Sequence, residues 1–150
     1  MKGRCNVLER IQSDRLNQPD ILELLSYSVF PSSGAMGKAV ALYKDQAEFE
    51  LYGYKEGEVY IGIIGFQMDH AGNLAIHHLA VDPEYRQMGY GRGQILEILA
   101  LKKPVTLTAE TDEDAVEFYR NIGFSISSLG ELYPGTERFR CVYEAEPEIE

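Results

Sequence analysis

Residues 74–101 read LAIHHLAVDPEYRQMGYGRGQILEILAL, and this stretch decides the fold. It opens with an apolar run of strand character over residues 74–81. A polar, glycine-rich turn over residues 82–93 follows, and then an apolar-periodic helix that reads as residues 92–102, stopped by Pro104. A strand that delivers glycines and arginines to a helix N-terminus favours a phosphate-bearing ligand. The turn frees backbone N–H groups, and the helix dipole adds partial positive charge at the same place.

Upstream of this unit the pattern is a meander of strands. Residues 48–55 (EFELYGYK) alternate, with Phe49 and Leu51 on one face. Glu56-Gly57 signals a turn, residues 59–67 (VYIGIIGFQ) form a strand interrupted by glycines, and DHAGN at 69–73 is another turn. Before the meander lie a short strand near residues 6–11, a helix from Pro19-Asp20 to about Phe30-Pro31, and a weaker helix over residues 37–46.

Downstream, residues 105–109 read as a strand and residues 113–121 as a helix. Thr111 or Asp112 is its N-cap and Gly123 its stop. Residues 124–129 and 137–144 are the last strands, around a turn-rich segment at 130–136. The order βααβββαβαββ predicts one mixed, mostly antiparallel sheet with helices on both faces, in a single domain over residues 1–150.

Composition narrows the function. A net charge of −10 argues against nucleic-acid binding and is compatible with a cationic substrate. No apolar run approaches the roughly 20 residues that span a bilayer, and the N-terminus lacks a secretory h-region, so a cytoplasmic, non-membrane protein is expected. Cys5 and Cys141, far apart and without a nearby His pair, predict free thiols and no metal site.

The turn at 86–93 admits three readings. A P-loop requires a Lys-Ser/Thr pair that is absent. A dinucleotide fingerprint requires GxGxxG, whereas the glycines here run GxGxG at 89, 91 and 93, after an antiparallel meander. The third pattern, [Q/R]-x-x-G-x-[G/A], is met by Arg86, Gly89 and Gly91. With Leu79-Ala80-Val81-Asp82-Pro83-Glu84-Tyr85 before it, this segment resembles the first motif of the GNAT (GCN5-related N-acetyltransferase) superfamily. Residues 110–124, ETDEDAVEFYRNIGF, resemble that family's A-x-x-[F/L]-Y-x-x-x-G-F motif. The resemblance covers residues 74–124, about a third of the chain.

The resemblance implies an acyl-CoA N-acyltransferase fold. It also implies an acetyl-CoA-dependent enzyme that passes acetyl to a primary amine, of a small molecule or a protein, by direct attack in a ternary complex. No metal is required. The strand at Leu79, Ala80 and Val81 would pair with the pantetheine amides. The turn at Arg86, Gln87, Met88, Gly89, Tyr90, Gly91 and Arg92 would hold the pyrophosphate, with Gly89 and Gly91 clearing space for its approach. Asp112 stands where relatives often have an Asn that contacts the cofactor, and an Asp accepts but does not donate a hydrogen bond.

Tyr119 occupies the family position for general acid toward the departing sulfur, and its phenol proton suits a thiolate. His77, with His78 as the alternative, is the candidate base. Strict alternation places the two imidazoles on opposite faces, His77 with Ala75, Leu79 and Val81. Glu110 is a competing base or an anchor for the amine. Tyr27, Phe30, Tyr43, Tyr52, Tyr54 and Tyr133 are aromatic candidates for an acceptor pocket. A CoA-binding regulatory module without turnover is the alternative function, and a homodimer is left open as the assembly.

Overall fold

Each connection in the chain carries its own stop signal, and the elements fall accordingly. A computed structural model describes residues 6–29 and 34–145. It contains β1 (Asn6–Arg10), α1 (Pro19–Ser26), α2 (Ala35–Asp45), β2 (Phe49–Glu56), β3 (Val59–Met68), β4 (Asn73–Val81), α3 (Tyr90–Lys102), β5 (Thr106–Asp112), α4 (Val116–Ile122), β6 (Ser125–Tyr133) and β7 (Thr136–Glu144). Pro19 opens α1 at a position where its missing N–H has no helical partner to lose. Ile21, Leu24 and Leu25 then bury one helical face. α3 ends at Lys103 in a left-handed conformation (φ 50°), with Pro104 next.

All seven strands lie in one sheet in the order β1-β2-β3-β4-β5-β7-β6. Every pair is antiparallel except β4–β5, which α3 joins by a crossover. Helices cover both faces, as expected. α3 and α4 bury Ile95, Ile98 and Tyr119 against Ile64, Phe66, Leu74, Leu107 and Cys141. α1 and α2 bury Ile21, Leu25, Ala39 and Tyr43 against Leu51, Ile63 and Ala80 on the other face.

Several boundaries differ from the sequence reading. α4 begins at Val116, not 113, because Asp112 belongs to β5 and pairs with Arg138. Its carboxylate accepts the Asp114 N–H (3.0 Å) in a turn that precedes the helix, so neither Thr111 nor Asp112 is the N-cap. β6 continues to Tyr133 through two register shifts, which reduces the expected loop at 130–136 to a tight turn at residues 134 and 135. α1 ends at Ser26, and Phe30-Pro31 lie outside the described residues, as does Cys5. Cys141 is a fully buried free thiol. No helix among the described residues is long and apolar enough to cross a membrane.

Candidate active site

β4 and β5 pair only over four positions, from Asn73↔Thr106 to Ile76↔Ala109. Beyond that point β4 stays with β3 up to Val81↔Gly62, and β5 stays with β7 up to Asp112↔Arg138. The two strands part, and a cleft opens between residues 77–81 and residues 110–112. Asp82 N–H donates to the Ile61 carbonyl (2.8 Å). Successive residues of an antiparallel strand point their backbone groups alternately toward and away from the neighbour. The N–H and C=O groups of Leu79 and Val81 therefore face the cleft, whereas Ala80 turns its own to β3.

At its far end the cleft meets the N-terminus of α3. Gly89 caps the helix at φ +86°, a conformation open to glycine at no steric cost. No side chain caps α3, and its first helical hydrogen bond runs from Gly93 N–H to Gly89 O (2.8 Å). The N–H groups of residues 90–92 are thus outside the helix ladder. Gln87, at φ 64°, holds the turn in the left-handed region without being glycine. A Cβ on Gly89 would meet nothing within 4 Å, so open space lies above this backbone. Gln87, Met88 and Arg92 are exposed beside it.

Not every residue of the turn is free for a ligand. A Cβ on Gly91 would sit 3.1 Å from the Phe118 ring, so the missing side chain of this glycine serves the close approach of α3 to α4. Arg86 Nε donates to Val81 O (3.0 Å), which occupies one of the carbonyls facing the cleft, and its guanidinium lies over the Tyr27 ring (5.4 Å). Tyr90 donates to Glu56 (2.6 Å) and ties the turn to the β2–β3 hairpin.

The two histidines do not alternate. Gly65 pairs with His78 while Phe66 pairs with Ile76, so His77 is an extra residue, a β-bulge. His78 Nδ1 lies 2.5 Å from the Tyr43 hydroxyl, and the His77 ring packs edge-on against Phe49 (5.1 Å). Tyr43 and Phe49 touch each other on the α1–α2 face. Both imidazoles therefore share that face. Leu79 packs into the opposite cluster with α3, contrary to the face assignment that regular alternation gives.

Burial lowers the pKa of His77, and the Glu110 carboxylate partly opposes the shift. His78 is pushed down to about 4 by burial and by the neighbouring His77. Both are neutral at pH 7. Glu110 is exposed and ion-paired with Arg140 (3.0 Å).

Tyr119 approaches from the opposite side. Its ring packs against Phe118 and Phe124 at about 5 Å, in the cluster that contains Ile76 and Ala109, the last pair before the strands part. Burial raises the phenol pKa, with Cys141 adding to the effect, so the hydroxyl keeps its proton. The same burial makes it a weaker acid than free tyrosine, although a thiolate in that dry setting is raised in the same sense. The parting point is thus flanked by His77 on one face and Tyr119 on the other. Of the other aromatics, Tyr52 stacks on Phe66 and Tyr54 meets Tyr90, both toward α3, while Tyr43 faces α1 and α2.

Phe49 and Gln94 have no site role in the sequence reading, and Tyr43 stands there only as an aromatic of the acceptor pocket. Phe49 and Tyr43 support the imidazoles. Gln94, fully buried on α3, donates to the Ala80 carbonyl (3.3 Å). The glycines of β3 were the available signal. A Cβ on Gly65 would fall 2.1 Å from the Tyr43 hydroxyl, and one on Gly62 would fall 2.7 Å from Gln94 Nε2. No group of three or more His, Cys, Asp or Glu suited to a metal occurs among the described residues.

Known proteins resemble this chain in sequence and in fold. The chain is 36% identical over 73 residues to the histone acetyltransferase TAP1 of Glycine max, a stretch covering 47% of this chain and 32% of that protein. It is 32% identical over 73 residues to the chloroplastic GCN5-related N-acetyltransferase 2 of Arabidopsis thaliana, covering 47% and 28%. The chain spans about a third of the length of these curated relatives.

Among solved structures, the ribosomal-protein-S18-alanine N-acetyltransferase of Escherichia coli superposes with a TM-score of 0.78 at 16% identity, over 97% of each chain. A GNAT family acetyltransferase of Elizabethkingia anophelis with acetyl-CoA bound gives 0.68 at 19%, over 93% of this chain and 98% of that one. These likenesses fix the fold. Residues 19–124, well over half of the sequence, match the model of the acetyltransferase (GNAT) family, and the chain belongs to that family.

Proposed function

We propose that this chain is an acetyl-CoA-dependent N-acetyltransferase that passes acetyl to a primary amine of a small molecule or protein in a ternary complex. One observation carries the reading. The backbone edge of β4 at Leu79 and at the Val81 N–H, not paired with β5, runs directly to the N-terminus of α3, which no side chain caps. An edge of this kind suits the amides of a pantetheine arm, and the helix terminus suits its pyrophosphate. Leu79 and the Val81 N–H would hold the arm, and the N–H groups of Tyr90, Gly91 and Arg92 the phosphates. The exposed Arg92 guanidinium adds charge beside them.

In the reaction the amine nitrogen attacks the thioester carbon and the C–S bond breaks. His77, neutral at pH 7, accepts the proton that the amine loses, and the Tyr119 hydroxyl supplies one to the departing sulfur. Glu110, on the same face as His77, would draw a cationic acceptor toward it. The positions of Tyr119 and His77 on opposite faces of the parting point support attack from the side away from the sulfur.

Differential scanning fluorimetry with acetyl-CoA, NAD and ATP tests the donor. Acetyl-CoA alone should stabilise, by about 2.7 kcal/mol at a hundredfold excess over Kd. Stabilisation by NAD without any by acetyl-CoA would overturn the reading. Release of CoA over a panel of primary amines then identifies the acceptor.

A further inference from the structure

The bulge in β4 has a built-in clamp. His78 stands opposite Gly65, and the ring of Tyr43 fills the space that a side chain at Gly65 would take. From there the Tyr43 hydroxyl reaches His78 Nδ1 at 2.5 Å, with the rings edge-on at 5.4 Å. Phe49 packs on both Tyr43 (6.3 Å) and His77 (5.1 Å). The contacts form a closed circuit from His78 through Tyr43 and Phe49 to His77, the extra residue of the bulge.

A bulge re-aims a side chain, and it persists only where its surroundings select it over a regular ladder. Here a ladder without the extra residue would send His77 to the α3 side, beside Leu79, away from Glu110. We infer that Tyr43 is a positioning residue, whose hydroxyl pins His78 and so holds the bulge that presents His77 to the acceptor side of the cleft. The inference rests on the acyl-transfer reading for its consequence in catalysis, but not for the clamp itself.

Tyr43→Phe keeps the ring in the gap above Gly65 and removes only the hydroxyl. His78→Asn keeps a side-chain acceptor near the position of Nδ1, and His78→Leu removes it. In the free protein, Tyr43→Phe and His78→Leu should weaken or abolish the NOE between His77 and Phe49 and shift the His77 ring resonances, while His78→Asn preserves both.

In the acetyl-transfer assay the first two variants should lose about tenfold in kcat, a fraction of the 10²–10⁴ that a general base contributes. KM for acetyl-CoA should stay within twofold, and His78→Asn should recover most of the rate. An unchanged His77–Phe49 NOE in Tyr43→Phe overturns the inference, as does a His78→Asn variant as impaired as His78→Leu. Should the wild-type protein acetylate no amine, the proposed function falls, and the NMR arm still decides the clamp.

Discussion

The two lips of the cleft are held in opposite ways. The β4 lip is braced from both faces by polar side chains that cross over glycines of β3. Gln94 comes over Gly62 to the Ala80 carbonyl, and Tyr43 comes over Gly65 to His78. Among the described residues the β5 lip has no such brace. It depends on its ladder with β7 and on an exposed pair between Glu110 and Arg140. The β4 lip, which under the proposed function would hold the donor, is locked into the core, whereas the β5 lip is a surface. A cosubstrate of fixed shape suits the first arrangement, and a variable acceptor the second.

The largest effect that probes this contrast is the pH dependence of the β4 lip. His78 has a folded pKa near 4, against an ordinary 6.5. Between those values the unfolded chain binds the proton more readily, so stability is lost as pH falls through the window. At about 1.4 kcal/mol per pH unit, this comes to about 3 kcal/mol. Urea denaturation from pH 7 to pH 4 should show a shallower decline for His78→Asn than for the wild type. Parallel curves would mean that the β4 lip carries no buried imidazole of this kind.

Next in size is Gly62→Ala. The added methyl would fall 2.9 Å from the Ala80 carbonyl as well as against Gln94, so backbone must yield. Overpacking of this sort costs about 1–3 kcal/mol, read from the urea midpoint. A neutral substitution would show the brace to be slack.

The smallest effect belongs to the β5 lip. Glu110→Gln breaks an exposed ion pair worth about 0–1 kcal/mol and should barely move the midpoint. It removes the one carboxylate that raises the His77 pKa, so the imidazole should titrate at lower pH in an NMR series. An upward move would contradict the placement of Glu110 beside His77.

Much of this architecture was legible in the sequence. Element order, the meander and the unit of strand, glycine-rich turn and helix follow from periodicity and turn chemistry, which are local. The bulge at His77 did not follow. Alternation assumes a regular ladder, and the bulge is held through His78 by Tyr43, 35 positions upstream of it. The packing role of Gly91 did not follow either, because its neighbour Phe118 belongs to another helix. Gln94 looked like one polar residue in an amphipathic helix. Nothing nearby in the sequence signals that its amide reaches across Gly62.

The four-position pairing of β4 with β5 has a thermal consequence. The ladders β1 to β4 and β5 to β6 are each continuous. Across the seam, main-chain bonding among the described residues comprises those pairs and the bonds from the Val105 N–H (2.7 Å) and the Thr106 N–H (3.4 Å) to the Gly72 carbonyl. The rest of the attachment includes the Thr106 hydroxyl, which donates to Asn73 Oδ1 (2.7 Å), and apolar packing, with Leu74 and Ile76 on one side and Leu107, Ala109 and Cys141 on the other. Apolar attachment weakens on cooling. The apolar share of the seam is therefore the part that cooling weakens, while its few hydrogen bonds are left to hold the two halves of the sheet together.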